Sequence, residues 1–161
     1  MPRLDKLIRT EAPGAVILIR IIVGAVFLEE GIQKLLFAEL LGAGRFGRIG
    51  IPAPEVMGPF VGAVEIVCGI LVLFGCLTRL AALPLFVNIS AAILSTKIPI
   101  LLGHDYRWFH VAKLARYGFW SMASEARTDF SMLLGSLFLL IVGAGPWSLD
   151  AVWGRRRRPS D

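Results

Sequence analysis

The sequence predicts an all-α integral membrane protein: four transmembrane helices in one bundle, with an interfacial amphipathic segment between helices three and four. Two observations predict this class. The 161 residues are 56% hydrophobic and only 18% charged, with a mean hydropathy of +0.71, which is more apolar than a soluble domain can accommodate. In addition, four apolar stretches reach the roughly 20 residues that cross a bilayer; they cover residues 14–36, 56–77, 79–101 and 128–147.

The first span follows a basic segment, MPRLDKLIRTEAPG, that superficially resembles the start of a signal peptide. Because the apolar run has the length of a span and no small-residue cleavage site follows cleanly, we expect a retained helix. The next stretch, LGAGRFGRIGIPAPE, is rich in glycine and proline and predicts irregular structure. Spans two and three are joined only by GCLTR, so they should form an antiparallel hairpin.

The longest connection, residues 104–127, interleaves aromatic residues with Arg107, Lys113 and Arg116. This pattern is typical of a segment that lies in the headgroup region, and an aromatic cradle for a lipid-like ligand is the alternative. The fourth span should end at Gly145 and Pro146, and residues 154–161 form a basic tail. Together the spans use most of the chain, which predicts a single membrane domain over residues 1–161.

The formal net charge of +5 and the pI of about 9.8 indicate anionic membrane lipids as partners. Nucleic-acid binding is not expected, because no basic surface free of spans exists. Four spans place both termini on the same side, yet the basic residues divide equally between the two sides. The tight terminal clusters and the short inner turn favour a multi-pass protein of the cytoplasmic membrane with both termini in the cytoplasm.

Charged residues inside the first span should face the interior of the bundle, because a charge at the bilayer centre costs roughly 2.5–3.5 kcal/mol on insertion scales. Arg20 and Lys34 share one helical stripe with Gly24 and Gly31. Glu30 and Lys34 form an i, i+4 pair in the favourable order.

The depth of each residue along the helical hairpin indicates which polar side chains should lie at the same level of the bundle. Glu65 and Asn88 lie at similar distances from the turn, about 17–18 Å above it, close to the midplane, which is a geometry in which they could hydrogen-bond. At the opposite membrane face, Glu29, Glu30 and Lys34 of the first span are expected to meet Lys97 and Asp129. The expected polar column has an inner group and an outer group: Arg20, Glu65 and Asn88 near the midplane, and Glu30, Lys34 and Asp129 near the outer end.

Two interpretations of this column remain open: it fixes helix register, or it forms a ligand or proton site, with Glu65 the best single candidate. No intrinsic haem is expected, because His104 and His110 are the only histidines and both lie in the interfacial segment. Cys68 and Cys76 lie eight positions apart on one predicted helix, too far to bridge, and no metal-ligand cluster is evident. We therefore expect neither a metal nor an intrinsic redox cofactor.

Three stretches together resemble the DoxX family of small four-helix bacterial membrane proteins: LIRIIVGAVFLEEGIQKL, GIPAPEVMGPFVGAVEIVCGILVLFGCLTRLAALPL and DFSMLLGSLFLLIVGAGPWSLD. The resemblance covers about residues 14–151 and implies a four-helix bundle in the cytoplasmic membrane. It also implies a redox context, since some relatives are subunits of a thiosulfate:quinone oxidoreductase and others are linked to oxidative-stress complexes with soluble redox partners. The polar residues that match the family are Arg20, Lys34, Glu65, Arg79 and Asp129.

Three functional hypotheses follow. A quinone-linked redox subunit would move protons through Glu65 or Glu30 and steer a quinone oxygen with Arg20, and its electrons would come from a soluble partner. A non-enzymatic scaffold would anchor soluble partners through the arginines at 155–158 and the interfacial segment. A small transporter would use the polar column as its path and would need a homo-oligomer, for which the glycine face of helix two offers a contact.

Overall fold

The computed structural model describes residues 12–156, and it confirms the all-α class. Within those residues no strand is present, although an isolated β-bridge joins Tyr106 and Phe109. The helices are α1 (Val16–Leu36), α2 (Ala43–Ile49), α3 (Pro54–Phe74), α4 (Thr78–Ala92), a π-helical turn (Ile93–Lys97), α5 (Ile98–Leu102), α6 (Phe119–Glu125), α7 (Arg127–Val142) and α8 (Leu149–Arg156).

Two segments in the described part of the chain are long and apolar enough to cross a membrane: α3 and the continuous helical stretch Thr78–Leu102. They correspond to the second and third predicted spans. The first predicted span corresponds to α1, which has 21 residues but carries four charged groups. The fourth corresponds to α7, which has 16 residues.

Three local expectations were wrong or incomplete. The glycine-rich stretch after α1 contains the helix α2 and is not irregular throughout. Helix α7 ends at Val142, earlier than predicted, because Gly143 and Gly145 adopt positive φ angles of 87° and 78°. The C-terminal helix α8 was not predicted, and the end of the basic tail, residues 157–161, lies outside the described residues.

Helices α1 and α3 pack through glycines at very short range. A Cβ atom placed on Gly31 would lie 2.6 Å from the carbonyl oxygen of Gly62, and one placed on Gly24 would lie 2.9 Å from that of Gly69. Small residues allow such backbone approach. The glycine face of α3 is therefore occupied by α1, which corrects its suggested use as a contact between copies of the chain.

The core between the helices is apolar, with Val23, Val72, Leu85 and Leu139 almost completely buried. The outer surface is apolar as well: Leu18, Phe74 and other large hydrophobic side chains are more than half exposed along several helices. An apolar exterior on this scale is the property that a lipid-facing surface requires and that a water-facing surface avoids.

Candidate functional site

A cavity of about 670 Å³ lies at the end of the bundle away from the α3–α4 turn. It is enclosed by the C-terminal half of α1, the N-terminal half of α3, the C-terminal half of α4 and the start of α7. Its walls are largely aliphatic and aromatic, and they include Val26, Phe27, Met57, Val61, Ile89 and Met132. Five of the six candidate site residues also line it, namely Glu30, Lys34, Glu65, Asn88 and Asp129.

Glu65 is the most deeply buried acidic group of the cavity, with 3% of the residue exposed. Its Oε1 accepts a 2.6 Å hydrogen bond from Nδ2 of Asn88, as expected from their equal depth on the hairpin. Lys34 Nζ lies 2.8 Å from Oε2 and 3.1 Å from Oε1 of the same carboxylate. The buried charge is thus held by one amide and one ammonium, the pairing that a low-dielectric interior demands.

Lys34 connects this buried carboxylate to a more exposed one. Its Nζ lies 3.0 Å from Oε2 of Glu30, which confirms the predicted i, i+4 pair. Side-chain exposure rises along the chain of groups, from 4% at Glu65 through 10% at Lys34 to 47% at Glu30. The expected grouping of Lys34 with Asp129 was wrong, because the close approach of α1 and α3 at Gly31 brings Lys34 within reach of Glu65.

A second ion pair, formed by Lys97 and Asp129, also lines the cavity. Lys97 Nζ lies 3.0 Å from Oδ2 of Asp129. The two residues expected to meet Glu29 and Glu30 thus pair with each other, and Glu30 pairs with Lys34 instead. Lys97 ends the π-helical turn, whose Ser95 and Thr96 hydroxyls both donate to the Ala92 carbonyl. π-Helical turns often mark functional sites. The sequence signal for this one is Pro99, which cannot donate to the carbonyl four residues earlier.

Helix α2 forms a lid over the cavity and contributes Arg45, Phe46 and Ile49 to its lining. Arg48, on the same helix, donates to the carbonyls of Glu39 at 3.0 Å and Leu40 at 2.7 Å, and so fixes α2 to the chain that follows α1. Sequence reasoning missed this lid, because seven residues containing two glycines give little helical signal.

The segment after α5 supports the lid from outside. The backbone N–H of His110 donates to the Ile49 carbonyl at 2.8 Å, and the neighbouring Phe109 lines the cavity. Asp105 organises this turn, because its carboxylate lies 2.9 Å from His110 Nδ1 and accepts a 2.8 Å hydrogen bond from the Val111 N–H. The bond to His110 is the main reason that the pKa of Asp105 is lowered from its usual value.

Arg20, the sixth candidate, does not belong to the cavity. Its guanidinium donates to four backbone carbonyls, those of Val72, Leu73, Ala144 and Trp147, at 2.5–3.2 Å. The expected group of Arg20 with Glu65 and Asn88 was therefore wrong. The partners are backbone carbonyls at the C-terminal end of α3 and in the turn after α7, which no side-chain pattern reveals.

Asp150 complements Arg20 on the other side of the same turn. Its carboxylate accepts hydrogen bonds from the backbone N–H groups of Leu77 at 2.7 Å and Thr78 at 3.0 Å, and so caps the start of α4. The two groups together, here called the hairpin clamp, hold the α3–α4 turn from both helix ends. Asp150 was not among the predicted site residues, because it follows the last predicted span.

Residues 12–156 contain no group of three or more histidine, cysteine or acidic side chains placed to hold a metal ion. Cys68 and Cys76 are both free thiols in this structure. The acid–base groups described above are therefore the chemistry that the described part of the chain presents to the cavity.

The fold and the site define a class: a small helical membrane protein with an ionic network at the base of an apolar cavity. The DoxX family model matches residues 15–98. A relative from Mycobacterium tuberculosis (strain ATCC 25618 / H37Rv), "Uncharacterized membrane protein Rv3486", is 50% identical over 155 residues, which cover 96% of this chain and 91% of that protein. The chain belongs to the DoxX family.

A more distant relative is the Bacillus subtilis (strain 168) protein named "Putative oxidoreductase CatD". It is 27% identical over 135 residues, which cover 83% of each chain. No solved structure matches the chain.

Proposed function

We propose that the protein is a multi-pass protein of the cytoplasmic membrane, with four spans in one domain and both termini in the cytoplasm. Helices α1 and α7 would supply the first and fourth spans. The charges of α1 support this arrangement, because Lys34 and Arg20 bond to groups inside the bundle and their cost in lipid is thereby reduced. Anionic lipids would contact the basic groups at the helix ends.

Within that bundle, we propose a redox-associated role in which the cavity binds a quinone-class ligand. The observation that carries the proposal is the combination of a large apolar cavity with Glu65, Lys34 and Asn88 at its base. A volume of about 670 Å³ is within the usual range for small-molecule sites, which combine apolar walls with a few placed polar groups. The name of the Bacillus subtilis relative, a putative oxidoreductase, is consistent with redox chemistry.

The residues present suit such a ligand. Its ring would pack on the aliphatic and aromatic walls, and its carbonyl oxygens would accept hydrogen bonds from the amide of Asn88 or the ammonium of Lys34. A bound quinone would supply the two-electron acceptor, and a soluble redox partner would supply the electrons. Metal ions and intrinsic cofactors have no role in the proposal.

Glu65 would hold the proton that a ligand oxygen gains on reduction. Because Glu65 is nearly buried, its proton must come through neighbouring groups, and Lys34 joins it to the half-exposed Glu30. The order of exposure along these three side chains gives a route from the edge of the cavity to its base. A group poised between charged and neutral forms is the usual requirement for proton transfer at such a site.

Binding of a soluble naphthoquinone to purified protein in mild detergent tests the proposal. We expect Glu65→Gln to weaken binding by about tenfold, since it removes the charge that orients Lys34 and Asn88. The matched control is Glu29→Gln on α1, because Glu29 is exposed, accepts a hydrogen bond from Gln33 and does not line the cavity. Unchanged affinity in Glu65→Gln, or equal losses in both variants, would contradict the proposal.

A scaffold for soluble partners is the second candidate function, favoured by the exposed aromatic side chains of the segment before α7. Trp120 is 84% exposed, and Trp108 and Phe119 are 59% exposed. Exposed aromatic groups suit either a membrane interface or a partner surface. On the scaffold hypothesis, truncation after Gly154 abolishes recovery of a partner from membranes, and Glu65→Gln leaves it unchanged. A transporter would require a homo-oligomer that uses a face other than the glycine face of α3.

A further inference from the structure

Not every charged side chain that lines the cavity forms an ion pair with another one. Three cationic and three acidic side chains line it: Arg45, Lys34, Lys97, Glu30, Glu65 and Asp129. Lys34 contacts two carboxylates, and Lys97 pairs with the third. The base of the cavity therefore carries an excess of acid, and the unmatched positive charge belongs to Arg45 on the lid.

Arg45 is partly buried against the cavity, and among residues 12–156 no hydrogen bond or ion pair engages its guanidinium. Arg48 on the same helix provides the comparison, because its guanidinium donates to the Glu39 and Leu40 carbonyls and thereby anchors α2. Arg45 makes no such anchoring hydrogen bond within residues 12–156. A guanidinium beside apolar walls is a strong recognition group for oxyanions, because its planar fork donates two parallel hydrogen bonds.

We propose that Arg45 is a specificity-determining residue that selects ligands with an anionic oxygen group, such as an enolate or a carboxylate, on an apolar ring. This inference rests on the proposed function for its ring chemistry and adds the charge of the preferred ligand. The acid excess at Glu30 and Glu65 repels an anion from the base of the cavity. The anionic group therefore faces the lid, and the uncharged part of the ring extends towards Asn88.

Two matched ligand pairs test this selectivity by calorimetric titration of the full chain in mild detergent. The first pair is 2-hydroxy-1,4-naphthoquinone, whose hydroxyl is ionised at neutral pH, and its uncharged 2-methoxy analogue. The second pair, 2-naphthoate and 2-naphthamide, has the same ring size without quinone chemistry. We expect each anion to bind on the order of tenfold more tightly than its neutral partner.

Arg45→Gln should abolish that preference in both pairs, mainly through a loss of affinity for the anions. Arg45→Lys should keep part of it, because a lysine retains the charge but loses the fork. The control is Arg116→Gln, which removes the same group from an exposed position outside the cavity lining. Retained helical circular dichroism shows that each variant is folded.

The outcomes separate the two proposals. If neither quinone binds but 2-naphthoate is preferred through Arg45, the quinone assignment is wrong and the anion selectivity of the lid stands. If both quinones bind equally and Arg45→Gln changes neither pair, the anion selectivity is wrong and the quinone assignment stands. If Arg116→Gln matches Arg45→Gln, the preference arises from the overall charge of the protein, and the role of Arg45 is refuted.

Discussion

Replacement of Arg20 by methionine is the most direct test of the hairpin clamp. The variant keeps an unbranched apolar side chain but removes every donor to the carbonyls of Val72, Leu73, Ala144 and Trp147. Arg20 is 2% exposed, so water cannot readily replace the lost bonds. The C-terminal end of α3 would then lose the guanidinium that joins it to the turn after α7, and the bonds of Asp150 would remain.

The expected cost follows from the four bonds. Hydrogen bonds between helices in membrane proteins average about 0.6 kcal/mol and reach about 1.7 kcal/mol. Bonds to a charged donor belong to the stronger part of that range. The gain from no longer burying a guanidinium offsets part of the loss. We therefore expect Arg20→Met to lower the free energy of unfolding by about 2–4 kcal/mol, a range that these principles set.

Titration of the purified protein with SDS in mixed micelles, followed by circular dichroism, measures this free energy. Arg20→Lys should recover little of the stability, since one ammonium cannot reach carbonyls on two separate segments. Asp150→Asn, which weakens the other half of the clamp, should be less than additive with Arg20→Met because the two groups hold one turn. Wild-type stability in Arg20→Met would refute the clamp, and so would a full rescue by lysine.

Two further predictions concern packing and pH. Gly31→Ala should cost about 1–3 kcal/mol of unfolding free energy, because its new Cβ would lie 2.6 Å from the Gly62 carbonyl oxygen; Gly154→Ala, with nothing within 4 Å, is the control in the same SDS titration. His110→Ala should raise the pKa of Asp105 towards its ordinary value, as followed by carbon NMR of the carboxyl group. Because the pKa of Asp105 is lowered in the fold, the ionised carboxylate stabilises the turn at neutral pH, and this stabilisation is lost as the pH falls through the lowered pKa. An Asp105 pKa that His110→Ala leaves unchanged would contradict this prediction.

The helix positions were predictable because they depend on patterns within single segments. Apolar length and the glycine stripe of α1 gave the approximate positions of the long helices and the inward face of Lys34. Equal distance from a tight turn gave the bond between Glu65 and Asn88, since helix rise is constant and the hairpin fixes the register. The i, i+4 pair of Glu30 and Lys34 needed only helical geometry.

Contacts between side chains on separate helices were predictable only where the depth of the two residues along the helices determined them. Arg20 was placed with Glu65 because a buried cation was expected to find a carboxylate, whereas its actual partners are backbone carbonyls that every residue possesses. Helix α2 was missed because contacts with other segments fix it: Arg48 donates to the Glu39 carbonyl, and the His110 N–H donates to the Ile49 carbonyl. Arg45 was consequently never considered as part of the cavity.

The position of Gly31 joins the stability of the bundle to the chemistry of the cavity. A Cβ on Gly31 would approach the Glu65 side chain as well as the Gly62 backbone, with 3.0 Å to the Glu65 Cβ atom. The close approach of α1 and α3 is therefore what lets Lys34 reach Glu65. A substitution that separates the helices should lengthen this ion pair and weaken ligand binding together with folding. In this protein the glycine contact is part of the site, although no glycine touches the cavity.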